Sequence, residues 1–351
     1  MNMEKIERLL DGGEFAKALA AIKKIKPGAG RGRWLFLKGE ALRGLGLFGA
    51  AVKEYAAARA AARGDEELEL EARLGEARCL RALGNEKGTL ASAKVALGLS
   101  KKLGIYGAEA QLEWGLALRL TGRLGEAARL LEKLYKGYKK EADWGGAAFV
   151  LWALGGLYRL QGRYEEGIAA FEGSLSAAKK SGDEGAAGYA LFGLGGLLRV
   201  AGFMGRALDC YVRARRLFAG TDDAFAKAYA ECGTANVLRQ LGRLEEAYAG
   251  YVRAHKLYSG LSDWADLGFV EWGMGEIKKK NGDFAAALKH YRSAERLFKG
   301  RSEPRGEALT LLALANLYYL LGDTRQAERR HDLALKFIRA HGLHTHLEIF
   351  T

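Results

Sequence analysis

The stretch Leu191–Phe218, LFGLGGLLRVAGFMGRALDCYVRARRLF, holds two amphipathic segments and a break between them. Leu191, Leu194 and Leu198 are three and four residues apart, the spacing of one helical face. Gly202 follows, and Ala207 and Tyr211 then resume helical spacing. A glycine at such a break supplies the left-handed conformation that ends one helix and lets the chain reverse, at no steric cost. The same break recurs at Gly122, Gly162, Gly202, Gly242, Gly282 and Gly322, each 40 residues after the last, with weaker copies at Gly13, Gly46 and Gly84. A period held through six copies predicts a helical repeat architecture.

Columns on either side of the turn glycine describe one repeat. Eleven, eight and four residues before it stand apolar side chains: Leu151, Leu154, Tyr158; Leu191, Leu194, Leu198; Leu311, Leu314, Tyr318. Five and nine residues after it stand a small residue and an aromatic one, as in Ala51 and Tyr55, Ala207 and Tyr211, Ala247 and Tyr251, Ala287 and Tyr291. This spacing packs the second helix of each pair onto the first. Twenty-one residues after the turn come Asp143, Asp183, Asp223, Asp263 and Glu303, suited to cap the next helix, with Pro304 suited to its first turn. Glycines inside the first helices, Gly155, Gly156, Gly195, Gly196, Gly233 and Gly273, should each weaken a helix unless they serve close packing. They either accept an aromatic ring from the adjacent repeat or hollow a groove for a ligand, and the notch is the preferred reading.

This pattern resembles the tetratricopeptide repeat family, whose signature is legible in Leu311, Leu314-Ala315, Tyr318, Gly322, Ala327, His331 and Ala334. The 40-residue period is similar to the long-repeat branch, which includes spindle-orientation adaptors, kinesin light chains and bacterial peptide-sensing regulators. The resemblance implies an all-α, right-handed superhelix of about nine helix pairs. It covers residues 1–341 as a single solenoid, irregular over 1–105 and regular over 106–341, with a tail at 342–351. In that branch the repeats bind extended peptides in a concave groove or relay ligand binding to an attached domain.

By the same resemblance, a second stripe on each first helix faces the groove. It carries Phe149, Tyr189, Tyr229 and Phe269; Phe36, Trp152, Phe192 and Trp272; and Gly156, Gly196, Asn236, Glu276 and Asn316. Three residues before the turn glycine stand Arg43, Arg81, Arg119, Arg159, Arg199, Arg239 and Lys279, a cation in seven consecutive repeats. For Arg119, Arg159, Arg199 and Arg239 the residues three and four earlier are never acidic, so no partner lies on the same helical face. Arg123, Arg163 and Arg243 add further positive charge. Like charges at helix-packing distance in water repel by only about 0.4 to 0.5 kcal/mol, so the ladder tolerates vacancy but favours a ligand with regularly spaced negative charge. The competing structural reading has these cations complementing helix C-termini or reaching Glu165, Glu166, Glu245 or Glu246.

Composition limits the remaining classes. Two prolines in 351 residues fit helix throughout, and a formal charge of +13 permits anionic partners. No apolar leader or membrane span is read, and the expected location is cytoplasmic. Cys79, Cys210 and Cys232 are far apart without CxxC spacing and read as buried free thiols. His341, His344 and His346 lack a second ligand set and are not read as a metal site. No phosphate loop, catalytic triad or paired-carboxylate constellation is present, so neither a cofactor nor an enzymatic activity is expected.

The expectation is therefore an adaptor or scaffold binding an extended, acidic peptide from a protein partner. Arg119, Arg159, Arg199, Arg239 and Lys279 supply charge, Trp152, Phe192, Trp272, Tyr189 and Tyr229 apolar surface, and Asn236 and Asn316 polar contacts. Two alternatives stand beside it: single-stranded nucleic acid on the Arg and aromatic groove, and self-assembly through an uncapped C-terminal end.

Overall fold

Each turn glycine of the 40-residue comb takes the left-handed conformation, with φ between 73° and 86° from Gly122 to Gly322. The chain closes there on a six-residue bond: at Gly122, the Arg123 amide donates to the Leu118 carbonyl over 2.9 Å while the Gly122 amide donates to Arg119. These bonds satisfy carbonyls that the helix end would otherwise leave unpaired. The structure is a computed structural model describing residues 3–343 except Lys26, Ala29, Arg63, Ser262, residues 300–302 and Gly342.

Eighteen helices are present among the described residues, and neighbours in sequence pack on one another from the first to the tenth and from the fourteenth to the eighteenth. They are α1 (Met3–Asp11), α2 (Phe15–Ile22), α3 (Arg31–Gly44), α4 (Phe48–Ala61), α5 (Glu66–Ala82), α6 (Glu86–Leu103), α7 (Gly107–Leu120), α8 (Leu124–Lys140) and α9 (Trp144–Leu160). There follow α10 (Tyr164–Ser181), α11 (Glu184–Val200), α12 (Met204–Phe218), α13 (Ala224–Gln240), α14 (Leu244–Leu261), α15 (Trp264–Lys280), α16 (Phe284–Phe298), α17 (Pro304–Leu320) and α18 (Thr324–His341). None of the described helices is long and apolar enough to cross a membrane.

The chain divides into two compact units, Met1–Leu197 with Arg216–Ala224, and Leu198–Arg215 with Phe225–Thr351. In the first, the Ala16 amide donates to the Asp222 carboxylate over 3.2 Å, joining positions 206 residues apart. In both units the columns of the repeat form the core. Leu154, Leu191, Leu194, Leu198, Leu311 and Leu314 are buried, and so are the small residues and tyrosines of the second helices. Asp143, Asp183 and Asp263 cap their helices through the side chain, accepting from Gly146, Ala186 and Asp266. Glu303 makes no such bond, and Pro304 alone marks that helix start.

Three of the interior glycines, Gly155, Gly233 and Gly273, are notches. In the first unit Phe171 is wedged between Gly155 and Gly193, and a methyl on Gly155 would come within 2.8 Å of the ring. In the second, Tyr211 lies on Gly233 and Tyr251 on Gly273, the latter 2.5 Å from where a Cβ would stand. Gly156 does something else: a Cβ there would meet the Arg119 guanidinium at 2.5 Å.

Two glycine-to-alanine changes should therefore have opposite signs. Gly98 in α6 has open space where a Cβ would go, and Gly98→Ala should stabilise by about 1 kcal/mol through helix propensity alone. Gly233→Ala drives a methyl into the buried Tyr211 ring, and overpacking of about 1 to 3 kcal/mol should exceed the same gain. Denaturant unfolding of both variants decides it; a shift in the same direction would show that the notch constrains nothing.

Candidate ligand-binding site

The seven ladder cations sort by the residue three positions earlier. Where that residue is glutamate, the cation is neutralised on its own helix: Arg43 Nη2 lies 2.5 Å from Glu40 Oε2, and Lys279 Nζ 3.0 Å from Glu276. The tyrosine of the following helix completes each set, Tyr55 donating to Glu40 and Tyr291 to Glu276. Burial alone would raise the Glu40 carboxyl, but Arg43 and Tyr55 together hold it below the usual carboxylate range. Where the residue is Asn236, Tyr251 donates to its Oδ1 over 2.7 Å and Arg239 Nε donates to the Tyr251 oxygen over 3.3 Å. Asn236 thus works inside the repeat and not as an open ligand contact.

The second unit engages most of its ladder internally. Arg239 is 4% exposed and lies 5.1 Å over the Trp272 ring, Arg199 donates to Gln240 over 3.4 Å, and Lys279 is paired as above. Trp272 is packed in the core among Tyr291, Phe298 and Leu314, its indole N–H buried without a hydrogen-bond partner among the described residues. Tyr229 stacks on Phe225 at 6.2 Å. Asn316 is exposed on α17.

The first unit is different at its centre. Arg81 reaches Glu113 at 3.6 Å, and Arg78 approaches the same carboxylate at 3.0 Å. Arg119, next along, has no carboxylate partner among the described residues. Its guanidinium crosses from α7 to α9, where it donates to the Ala153 carbonyl over 3.4 Å and lies 5.7 Å from the Trp152 ring, above the space Gly156 leaves. Desolvation, with the charges of Arg81 and Arg159, pushes its pKa down to about 10. It stays charged at neutral pH, in a setting that disfavours the charge. Arg159 on α9, half-buried, likewise has no ion-pair or hydrogen-bond partner for its side chain among the described residues. Phe149, 40% exposed, lies 5.6 Å from Trp152 and extends the apolar surface beside the two arginines.

Several expected residues lie elsewhere. Phe192 is 4% exposed and stacked on Phe218 at 5.4 Å, so it packs the repeat and offers no open face. Tyr189 donates to Asp223 over 2.7 Å. Arg123, Arg163 and Arg243 bring no net charge, because Glu126, Glu166 and Glu246 three residues on pair with them at 2.6, 2.5 and 2.7 Å. Cys79 and Cys210 are buried and Cys232 is partly buried, accepting from Asn236 at 3.6 Å. His341 is bonded to the Phe337 carbonyl; His344, His346 and the tail at 344–351 lie outside the described residues. Gly156 was legible only as a missing side chain. Its task, making room for a cation from the preceding repeat, follows from no local pattern.

Comparison with known proteins agrees with this architecture. Models of the tetratricopeptide repeat match residues 150–181 and 266–340. Among solved structures, Rap protein in complex with Competence and Sporulation Factor is similar, with a TM-score of 0.66 and 16% identity, covering 81% of this chain and 80% of that one. BtubC from P. vanneervenii is similar with a TM-score of 0.51 and 18% identity, covering 67% of this chain and 92% of that one. No curated protein matches the sequence. At these identities the likeness is one of fold.

Proposed function

The chain is a tetratricopeptide-repeat protein, and from that premise we propose that it is an interaction scaffold that binds an extended, acidic peptide segment of a protein partner. Arg119 and Arg159 are the anion contacts, and Trp152 and Phe149 the apolar surface beside them. The observation that carries this reading is Arg119, a desolvated guanidinium facing other arginines without a carboxylate of its own. A ligand carboxylate there would exchange repulsion for charge-assisted hydrogen bonds, each worth about 1.5 to 3 kcal/mol. The similar Rap structure holds Competence and Sporulation Factor, which supports a ligand-binding use of this fold.

The test is fluorescence anisotropy of a labelled peptide alternating Glu and Leu, with wild type and Arg119→Gln/Arg159→Gln. Affinity should fall by about tenfold or more in the variant, while the helical signal and melting temperature hold or rise, since the change relieves like-charge repulsion. Equal affinity in both proteins sinks the reading. Tighter binding of oligothymidylate than of the peptide, falling steeply with salt, replaces it with single-stranded nucleic acid recognition.

A further inference from the structure

A cleft in the second unit lies apart from the ladder. It has a volume of about 310 Å³, between α12 and α14 with α13 as its floor. That size is at the lower end for a small-molecule site. Leu208 and Val212 of α12, Leu238 of α13 and Ala249 of α14 give it an apolar lining, and Arg215, Arg243 and Arg253 also line it. Two carboxylates answer these three cations: Glu231 pairs with Arg253 at 2.8 Å and Arg215 at 3.6 Å, and Glu246 with Arg243 at 2.7 Å. The cleft therefore keeps a positive excess of one.

Its floor carries a second signal. A threonine inside a helix commonly donates to the carbonyl four residues back, as Thr310 does to Gly306 over 2.8 Å and Thr89 to Asn85 over 2.7 Å. Thr234, 6% exposed and lining the cleft, leaves its buried hydroxyl with no hydrogen-bond partner among the described residues. An occupant reaching the floor gains a bond that the chain does not make itself.

We propose that this cleft is a second ligand site, taking a compact amphipathic organic anion. The carboxylate of the ligand lies against Arg215 and Arg253, which share the single carboxylate of Glu231, and its apolar body against Leu208, Val212 and Leu238. None of these residues belongs to the peptide site, so the two proposals stand or fall separately.

The probe is 4-phenylbutyrate, titrated by calorimetry into the full chain, with 4-phenylbutylamine as its charge-reversed counterpart. Saturable binding of the acid and none of the amine is expected. Arg253→Gln should weaken the acid by about tenfold. Ala249→Leu, at an exposed position, should abolish binding by filling the cleft while leaving the melting temperature unchanged. Absence of saturable binding, equal binding of the amine, or indifference to both substitutions overturns the site.

Discussion

Phe298→Ala should destabilise the second unit by about 4 kcal/mol, within the range for removing a buried aromatic ring. The ring is 0% exposed at the end of α16, and two glycines form much of its enclosure. Methyl groups on Gly268 or Gly306 would come within 2.6 and 2.5 Å of it respectively, so both helices approach the ring by bare backbone. Phe269 adds an edge contact at 5.0 Å between ring centroids. Truncating a side chain normally lets neighbouring side chains lean into the gap. Glycine walls have none to lean, and helices fixed by their own packing do not collapse, so the cavity term should persist almost whole. The same geometry predicts rescue: Phe298→Leu with Gly306→Ala should recover a clear part of the loss, where Gly306→Ala in the wild type alone is destabilising. Denaturant midpoints of the wild type, Phe298→Leu, Gly306→Ala and the combined variant form a double-mutant cycle. A loss below about 1.5 kcal/mol for Phe298→Ala, or additive effects, would mean that the notches do not hold the ring.

What was legible in the sequence follows from how local each constraint is. The turn glycines were readable because a left-handed residue between two amphipathic runs is a local demand. The tyrosine and alanine columns were readable because helix spacing alone places them on one face. Gly155, Gly233 and Gly273 were readable as notches, since a helix bears such a cost only against a close neighbour. The ladder was readable as a spacing and not as a set of charges. Its pairing depends on the position three residues earlier, where Glu40 and Glu276 neutralise their cations, Asn236 joins a tyrosine network, and Gly156 admits an arginine from the previous repeat. Phe192 and Trp272 stand in the same column as Trp152, yet they are 4% and 8% exposed while Trp152 is only part-buried. That difference is set by side chains of other helices, Phe218 of α12 in one case and the α16–α17 core in the other. Resemblance to a repeat family passes on the column but not what covers it.

Glu113→Gln should act on stability and on ligand affinity in opposite directions. Glu113 is 1% exposed in α7, and its carboxylate lies 3.0 Å from Arg78 and 3.6 Å from Arg81. Removing one partner of a buried ion pair costs about 3 to 5 kcal/mol. The lower end applies, because Arg78 and Arg81, at 33% and 17% side-chain exposure, can regain some water. Glutamine keeps the volume, so the loss of about 3 kcal/mol reports charge and not packing. The same carboxylate is the negative charge that favours protonated Arg119, against the opposing influence of burial, Arg81 and Arg159. Without it, the arginine centre has a larger unanswered charge, and an acidic peptide should bind severalfold more tightly even as the fold weakens. Melting temperature and peptide affinity measured on one preparation separate the two effects. If Arg119 is only a packing element, the variant will lose stability with no gain in affinity, and the case for an anion site in the first unit fails there.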